Sequence, residues 1–88
     1  MKLNIIKNIE NDNDEMHLSL GVTEARTIDL FNKVAEIAEP LYTNASTEIT
    51  PLYGKIAEIC DNMEEYTLCM HAFIFDMARI GRLSTEPI

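Results

Sequence analysis

Apolar and polar residues alternate strictly over residues 15–20. Met16, Leu18 and Leu20 fall on one side, and Glu15, His17 and Ser19 on the other. A period of two predicts a β-strand. Residues 2–9 are rich in isoleucine and alternate in part, and Glu10-Asn11-Asp12-Asn13-Asp14 between the two segments is a cluster of turn formers. Residues 1–21 therefore read as an N-terminal β-hairpin or arm with a loop of about five residues. An isolated hairpin is barely stable in water, so it must pack on the rest of the chain or on another subunit.

The pattern changes after Gly21. Thr23 suits the cap of a first helix that runs from Glu24 to Glu39, or to Tyr42. Ile28, Leu30, Phe31, Val34, Ala35, Ile37, Ala38, Leu41 and Tyr42 fill about half its circumference, and Arg26, Asp29, Lys33, Glu36 and Glu39 fill the rest. Asp29 and Lys33 form an i,i+4 pair in the favourable order. Pro40 predicts a kink or stop. After a polar connector over residues 44–48, Thr50 as cap and Pro51 at the first helical position open a second helix that ends near Cys60. Asp61-Asn62-Met63-Glu64 has the spacing of a capping box and predicts a break before a third helix, Met63 to Ile80. Gly81 suits its stop, and residues 82–88 read as a tail.

The third helix is apolar nearly all round. Between Tyr66 and Ile80 only Thr67, His71, Asp76 and Arg79 are polar. Two partner helices and one hairpin leave part of such a surface bare, which predicts self-association. The expected interface is Tyr66, Met70, Phe73, Phe75 and Met77.

Two of the helices echo each other. Leu-Phe-Asn-Lys-Val-Ala-Glu-Ile at residues 30–37 returns as Leu-Tyr-Gly-Lys-Ile-Ala-Glu-Ile at residues 52–59, with Asn32 against Gly54 as the one dissimilar place. Both copies put Lys and Glu opposite the apolar positions. The expectation is a repeated way of packing, with no chemistry attached. The fold class predicted from the whole pattern is α+β and mostly α: one domain, with a hairpin or arm over 1–21 and two or three antiparallel helices over 23–81.

Composition narrows the function classes. The chain has 88 residues, so it forms one small domain that benefits from assembly. Its hydrophobic content of 47% is too high for a disordered chain. A formal net charge of −8 opposes non-specific binding to phosphate backbones and to anionic lipid. Residues 1–9 mix Asn and Lys with Ile and do not read as a signal peptide. The apolar run Tyr66 to Phe75 is too short to span a bilayer. A cytoplasmic location follows as the expectation. Cys60 and Cys69 then read as free, buried thiols, with a single disulfide as the alternative.

No constellation of reactive residues emerges. Glu10, Asp12 and Asp14 imitate a calcium loop, but its sixth and twelfth positions hold Glu15 and Gly21 where Gly and Glu are needed. His17, Cys60, Cys69 and His71 lack the paired spacing of zinc ligands. On a helix, Cys69 and His71 point about 200° apart, which precludes a nucleophile–base pair between them. A helix-turn-helix would turn Leu, Met and Phe toward bases and Glu58, Asp61, Glu64 and Glu65 toward phosphates. The expectation is a protein that is no enzyme, needs no metal or cofactor, and binds neither DNA nor membrane.

One family comparison bears on function. Ile28-Asp29-Leu30-Phe31-Asn32-Lys33-Val34, followed by Thr67 and then Ala72-Phe73, resembles the helical-hairpin domain of phage anti-CBASS cyclic-nucleotide sponges over residues 24–81. The resemblance implies a small oligomer that sequesters a cyclic oligonucleotide without cleaving it, with Lys33 as the residue carried over. With Tyr42, Arg79 and Arg82, Lys33 completes the candidate binding set. The leading expectation is a small oligomeric adaptor or inhibitor that docks on another protein, of a kind suited to phage counter-defence. The sponge and a structural subunit of a particle or assembly stand as the alternatives.

Overall fold

A computed structural model describes residues 16–83. Among the described residues four helices succeed one another: α1 (Met16–Ser19), α2 (Glu24–Thr43), α3 (Thr50–Ile59) and α4 (Met63–Arg79). The three longer helices pack on one another, and α1 packs on α2. Among the described residues no helix is long and apolar enough to cross a membrane.

The fold is helical where the alternation predicted a strand, so the expected α+β class is corrected. Residues 2–9 and the acidic turn lie outside the described residues, but the second predicted strand does not. Residues 16–19 form one helical turn. Gly21 stops it with a φ of +76°, a left-handed conformation open to glycine. Its N–H donates to Leu18 O at 3.1 Å, and the Val22 N–H donates to His17 O at 2.8 Å. This pair of bonds is the Schellman ending of a helix. His17 Nδ1–H donates in turn to Val22 O at 3.1 Å and is buried, while Leu18 is 62% exposed. That is the reverse of the predicted sides. Six alternating residues are too few to separate a strand from one turn of helix, and the turn-forming glycine decides between them.

α2 starts as predicted, with Thr23 Oγ1 accepting from the Arg26 N–H at 3.1 Å. It does not stop at Pro40. The helix runs one more turn, to Thr43, and closes with the Asn44 N–H donating to Pro40 O at 2.9 Å. The proline ring is exposed, while Leu41 beyond it is buried. Burying a leucine contributes about 1.5–3 kcal/mol, which is comparable to the roughly 3 kcal/mol that an internal proline costs.

The caps of the next two helices are each displaced by one residue, the first earlier and the second later than expected. Ile49 occupies the cap position of α3 without a side-chain hydrogen bond, and Thr50 is already helical. Ile49 packs against the core, which fixes the chain there in place of a cap. Asn62, not Asp61, caps α4, its Oδ1 accepting from the Glu65 N–H at 2.9 Å. The break between the second and third long helices stands where the sequence placed it. α4 ends at Gly81, whose φ is +84°, in a second Schellman pair: Gly81 N–H to Ala78 O at 3.1 Å and Arg82 N–H to Met77 O at 2.8 Å.

The core lies between the three long helices. Leu30, Val34 and Ala38 of α2, Ile56 of α3, and Cys69, Phe73 and Met77 of α4 are fully enclosed. Tyr53 meets Phe73 edge to face, with ring centroids 5.9 Å apart and planes at 87°. The echoed octapeptides supply the same wall from two sides. Leu30 and Leu52, and Val34 and Ile56, are buried as pairs, while Lys33 and Lys55 are exposed as a pair. Ile56→Ala is expected to lower stability by about 2–5 kcal/mol, since a cavity adds to the lost transfer energy. Lys55→Ala should change it by less than about 0.5 kcal/mol. Urea unfolding of the two variants measures the contrast.

Candidate functional site

The helical period divides α4 into two unlike faces. Glu65, Leu68, Cys69, Ala72, Phe73, Asp76 and Met77 are buried. Thr67, His71, Ile74 and Phe75 are exposed, and Tyr66 and Met70 are half-buried beside them. Ile74 is 37% exposed and Phe75 55%. Tyr66, Met70 and Ile74 follow one another at four-residue spacing, as do Thr67, His71 and Phe75. The outer face is therefore an apolar ridge with two small polar groups on it. Of the residues expected at an interface, Phe73 and Met77 belong to the chain's own core at 0% exposure. Tyr66 and Met70 touch that core with one edge, and Phe75 faces outward.

At the end where α2 and α4 both begin, Arg26 gathers the charges. Its Nε and Nη2 donate to the two oxygens of Glu65, each at 2.9 Å. Its Nη1 donates to Asp29 at 2.9 Å, and Nη2 also approaches Asp61 and the Ile59 carbonyl at 3.4 Å. Glu65 accepts in addition from the Asp61 N–H at 2.9 Å, so the same carboxylate completes the cap of α4. The Arg26 hydrogen bonds and then the Asp61 N–H hold the Glu65 carboxyl down at about 2, from the ordinary 4.5, against the opposing effect of burial. The same bonds raise the Arg26 guanidinium above its ordinary value. A cleft of about 410 Å³ opens beside this group, between Leu20–Thr23 and Asn62–Glu65. Among the described residues that line it the one cation is Arg26, which three carboxylates already hold.

The four candidate binding residues do not converge. Lys33 bonds to Asp29 at 3.2 Å, near the Arg26 group. Tyr42 lies nine residues further along α2, roughly 13 Å away at 1.5 Å per residue. Arg82 is spent on the backbone: its Nη1 donates to Leu41 O at 3.2 Å and its Nη2 to Thr47 O at 2.5 Å, tying the end of α2 and the following connector to the end of α4. Arg79 donates to Asp76 Oδ1 at 2.7 Å, the i,i+3 neutralisation its spacing predicts. Asp76 is buried, and its Oδ2 and the Tyr42 hydroxyl have no hydrogen-bond partner among the described residues. Each such group opposes folding by about 1–3 kcal/mol.

Sequence patterning placed Arg26 on the polar side of its helix and gave Glu65 no partner. Their partnership spans 39 residues and leaves no local trace beyond Glu65 standing three places after a capping residue. Burial of Thr27, whose hydroxyl donates to Thr23 O at 2.8 Å, was equally hidden. Among the described residues no group of three or more His, Cys, Asp or Glu is placed to hold a metal ion. The chain matches no protein-family model, no curated protein and no solved structure.

The depressed Glu65 carboxyl links stability to acidity. A folded-state value below the unfolded one adds stability that is fully present above the unfolded value and is lost as pH falls toward the folded value. The window here runs from about 4.5 down to about 2. Glu65→Gln should lower stability at neutral pH by about 1.5–3 kcal/mol, the range for a hydrogen bond to a charged group. It should also flatten the acid limb of the stability curve in that window. Urea midpoints of both proteins across the window check this.

Proposed function

We propose that this chain is a non-catalytic protein-binding module that docks through the outer face of α4. The observation that carries the proposal is the ridge of Tyr66, Met70, Ile74 and Phe75, which keeps apolar area in solvent on a helix whose other side is well packed. Exposed aromatic and aliphatic groups in one stripe are the usual anchors of protein recognition. Two kinds of partner fit this ridge, a second copy of the chain and a different protein. Charge distinguishes the two. Like copies at a net charge of −8 repel, so self-association should strengthen with salt; docking on a basic partner should weaken.

Phe75→Glu is the decisive variant. Because Phe75 is more than half exposed, its substitution should move stability by less than about 0.5 kcal/mol. It should nonetheless abolish the association that wild type makes. Light scattering over a concentration and salt series measures self-association, and pull-down with mass spectrometry captures a heterologous partner. A wild type that associates with nothing, or a Phe75→Glu variant that retains every association, would refute the proposal.

A further inference from the structure

The apolar ridge of α4 runs on into a second feature. A surface cleft of about 340 Å³ opens at the corner between α3 and α4, lined by Ala57 and Cys60 from one helix and by Met63 and Tyr66 from the other. Tyr66 lines the cleft and also stands in the ridge, so the two are one surface. Met63 is 69% exposed, more than any residue of the ridge. From Met63 to Phe75 the surface extends roughly 18 Å, at 1.5 Å per residue. Its charge is one-sided. Residues 56–75, which supply the ridge and the whole lining of the cleft, contain Glu58, Asp61, Glu64 and Glu65 and no Lys or Arg. Arg26 satisfies Glu65 at 2.9 Å. The Asp61 side chain is 82% exposed and meets Arg26 only at 3.4 Å. Glu58 and Glu64, next in the chain to Ala57 and Met63, are exposed and have no ion pair among the described residues. Three carboxylates with little or no compensation thus stand at the cleft end of an apolar surface.

We propose that the occupant of this surface is an amphipathic helix of another protein, whose apolar stripe is bordered by Lys or Arg that pair with Glu58, Asp61 and Glu64. The inference rests on docking through the outer face of α4 and adds the chemistry of the partner. Its helical form follows from the surface. Tyr66, Met70 and Ile74 make a row at four-residue spacing, and such a row fits between the rows of a second helix. A helix offers no unpaired backbone edge, so an extended peptide has nothing here to pair with. Its basic character follows from the carboxylates, because a cation among them relieves their repulsion and a neutral or acidic partner does not. A second copy of the chain brings another net charge of −8 and, on the same surface, no Lys or Arg. An apolar side chain of the partner enters the cleft between Ala57 and Tyr66, and the rest of its stripe lies along Met70, Ile74 and Phe75.

The test uses two fluorescent peptides of about five helical turns, long enough to cover the surface. Both carry the same leucine stripe, bordered by lysines in one and by glutamates in the other. Anisotropy titration of the full chain is expected to show binding of the lysine peptide and none of the glutamate peptide. The joint substitution Glu58→Gln, Asp61→Asn and Glu64→Gln should weaken the lysine peptide about tenfold, the combined effect of three exposed ion pairs. Glu36→Gln with Glu39→Gln, exposed on α2, should leave it unchanged, and Phe75→Glu should abolish it. If circular dichroism shows that the triple variant is unfolded, Asp61→Asn alone takes its place, with a smaller loss expected. Lysine-peptide binding that survives Phe75→Glu, that the two sets of charge substitutions weaken equally, or that the first set leaves unaltered would overturn the proposal. Equal binding of both peptides, lost in Phe75→Glu, would overturn the basic partner and leave docking through α4 standing. Binding of neither peptide would overturn the basic helix as well; docking through α4 then stands if Phe75→Glu removes an association that wild type makes with itself or another protein, and falls if it does not.

Discussion

The Arg26–Glu65 pair is the constraint around which the three long helices are arranged. Glu65 is 7% exposed, and a carboxylate so placed must keep its charge compensated or destabilise the fold. Arg26 meets that demand with two nitrogens at 2.9 Å, a geometry that a lysine cannot reproduce. The remaining Arg26 contacts reach Asp29 on its own helix, the last carbonyl of α3 and Asp61 in the corner. One guanidinium therefore touches all three helices at a single end of the bundle. Arg82 plays the matching part at the far end, where two backbone carbonyls take its hydrogen bonds.

With the helices fixed in this way, the two faces of α4 acquire different meanings. The inner face supplies Phe73 and Met77 to a core too small to spare either. The outer face leaves Phe75 55% exposed, and on the docking proposal its apolar area is what a partner would cover. A docked aromatic residue of this size contributes about 1.5–3 kcal/mol by burial. That magnitude suits an anchor within a larger contact more than a complete interface, and on the docking proposal the net charge of −8 would govern which partner is admitted.

The long amphipathic helices were legible in the sequence because their periodicity is sustained over several turns. Thr23, Gly81, the break after Cys60 and the packing role of the echoed segments could all be read for the same reason. The N-terminal strand was misread because residues 15–20 are too short for period to decide, and the decisive signal, a left-handed Gly21 bonded back to the preceding turn, is a matter of geometry. The two caps displaced by one residue have a common origin. Ile49 and Glu65 are fixed by what they pack against, and neither neighbour can be read locally. The same limit explains why Arg26 looked like an ordinary surface charge and Arg82 like a binding residue, although both tie helix to helix, and why an all-round apolar helix was expected to have more of its surface bare than it does.

The up–down–up order of the long helices places α2 and α4 parallel, as Arg26 with Glu65 at one end and Arg82 with Leu41 at the other require. Parallel neighbours cannot be joined by a tight turn. The bonds that unite them span 39 and 41 residues, close to half of an 88-residue chain. Most helical proteins of this size fold quickly because their contacts are local. Here the loop-closure entropy of the whole α3 excursion must be met before either arginine finds its target. A folding order in which α3 first turns back on α2 would offer α4 a groove already half built, and would make the closing of that groove the slow step.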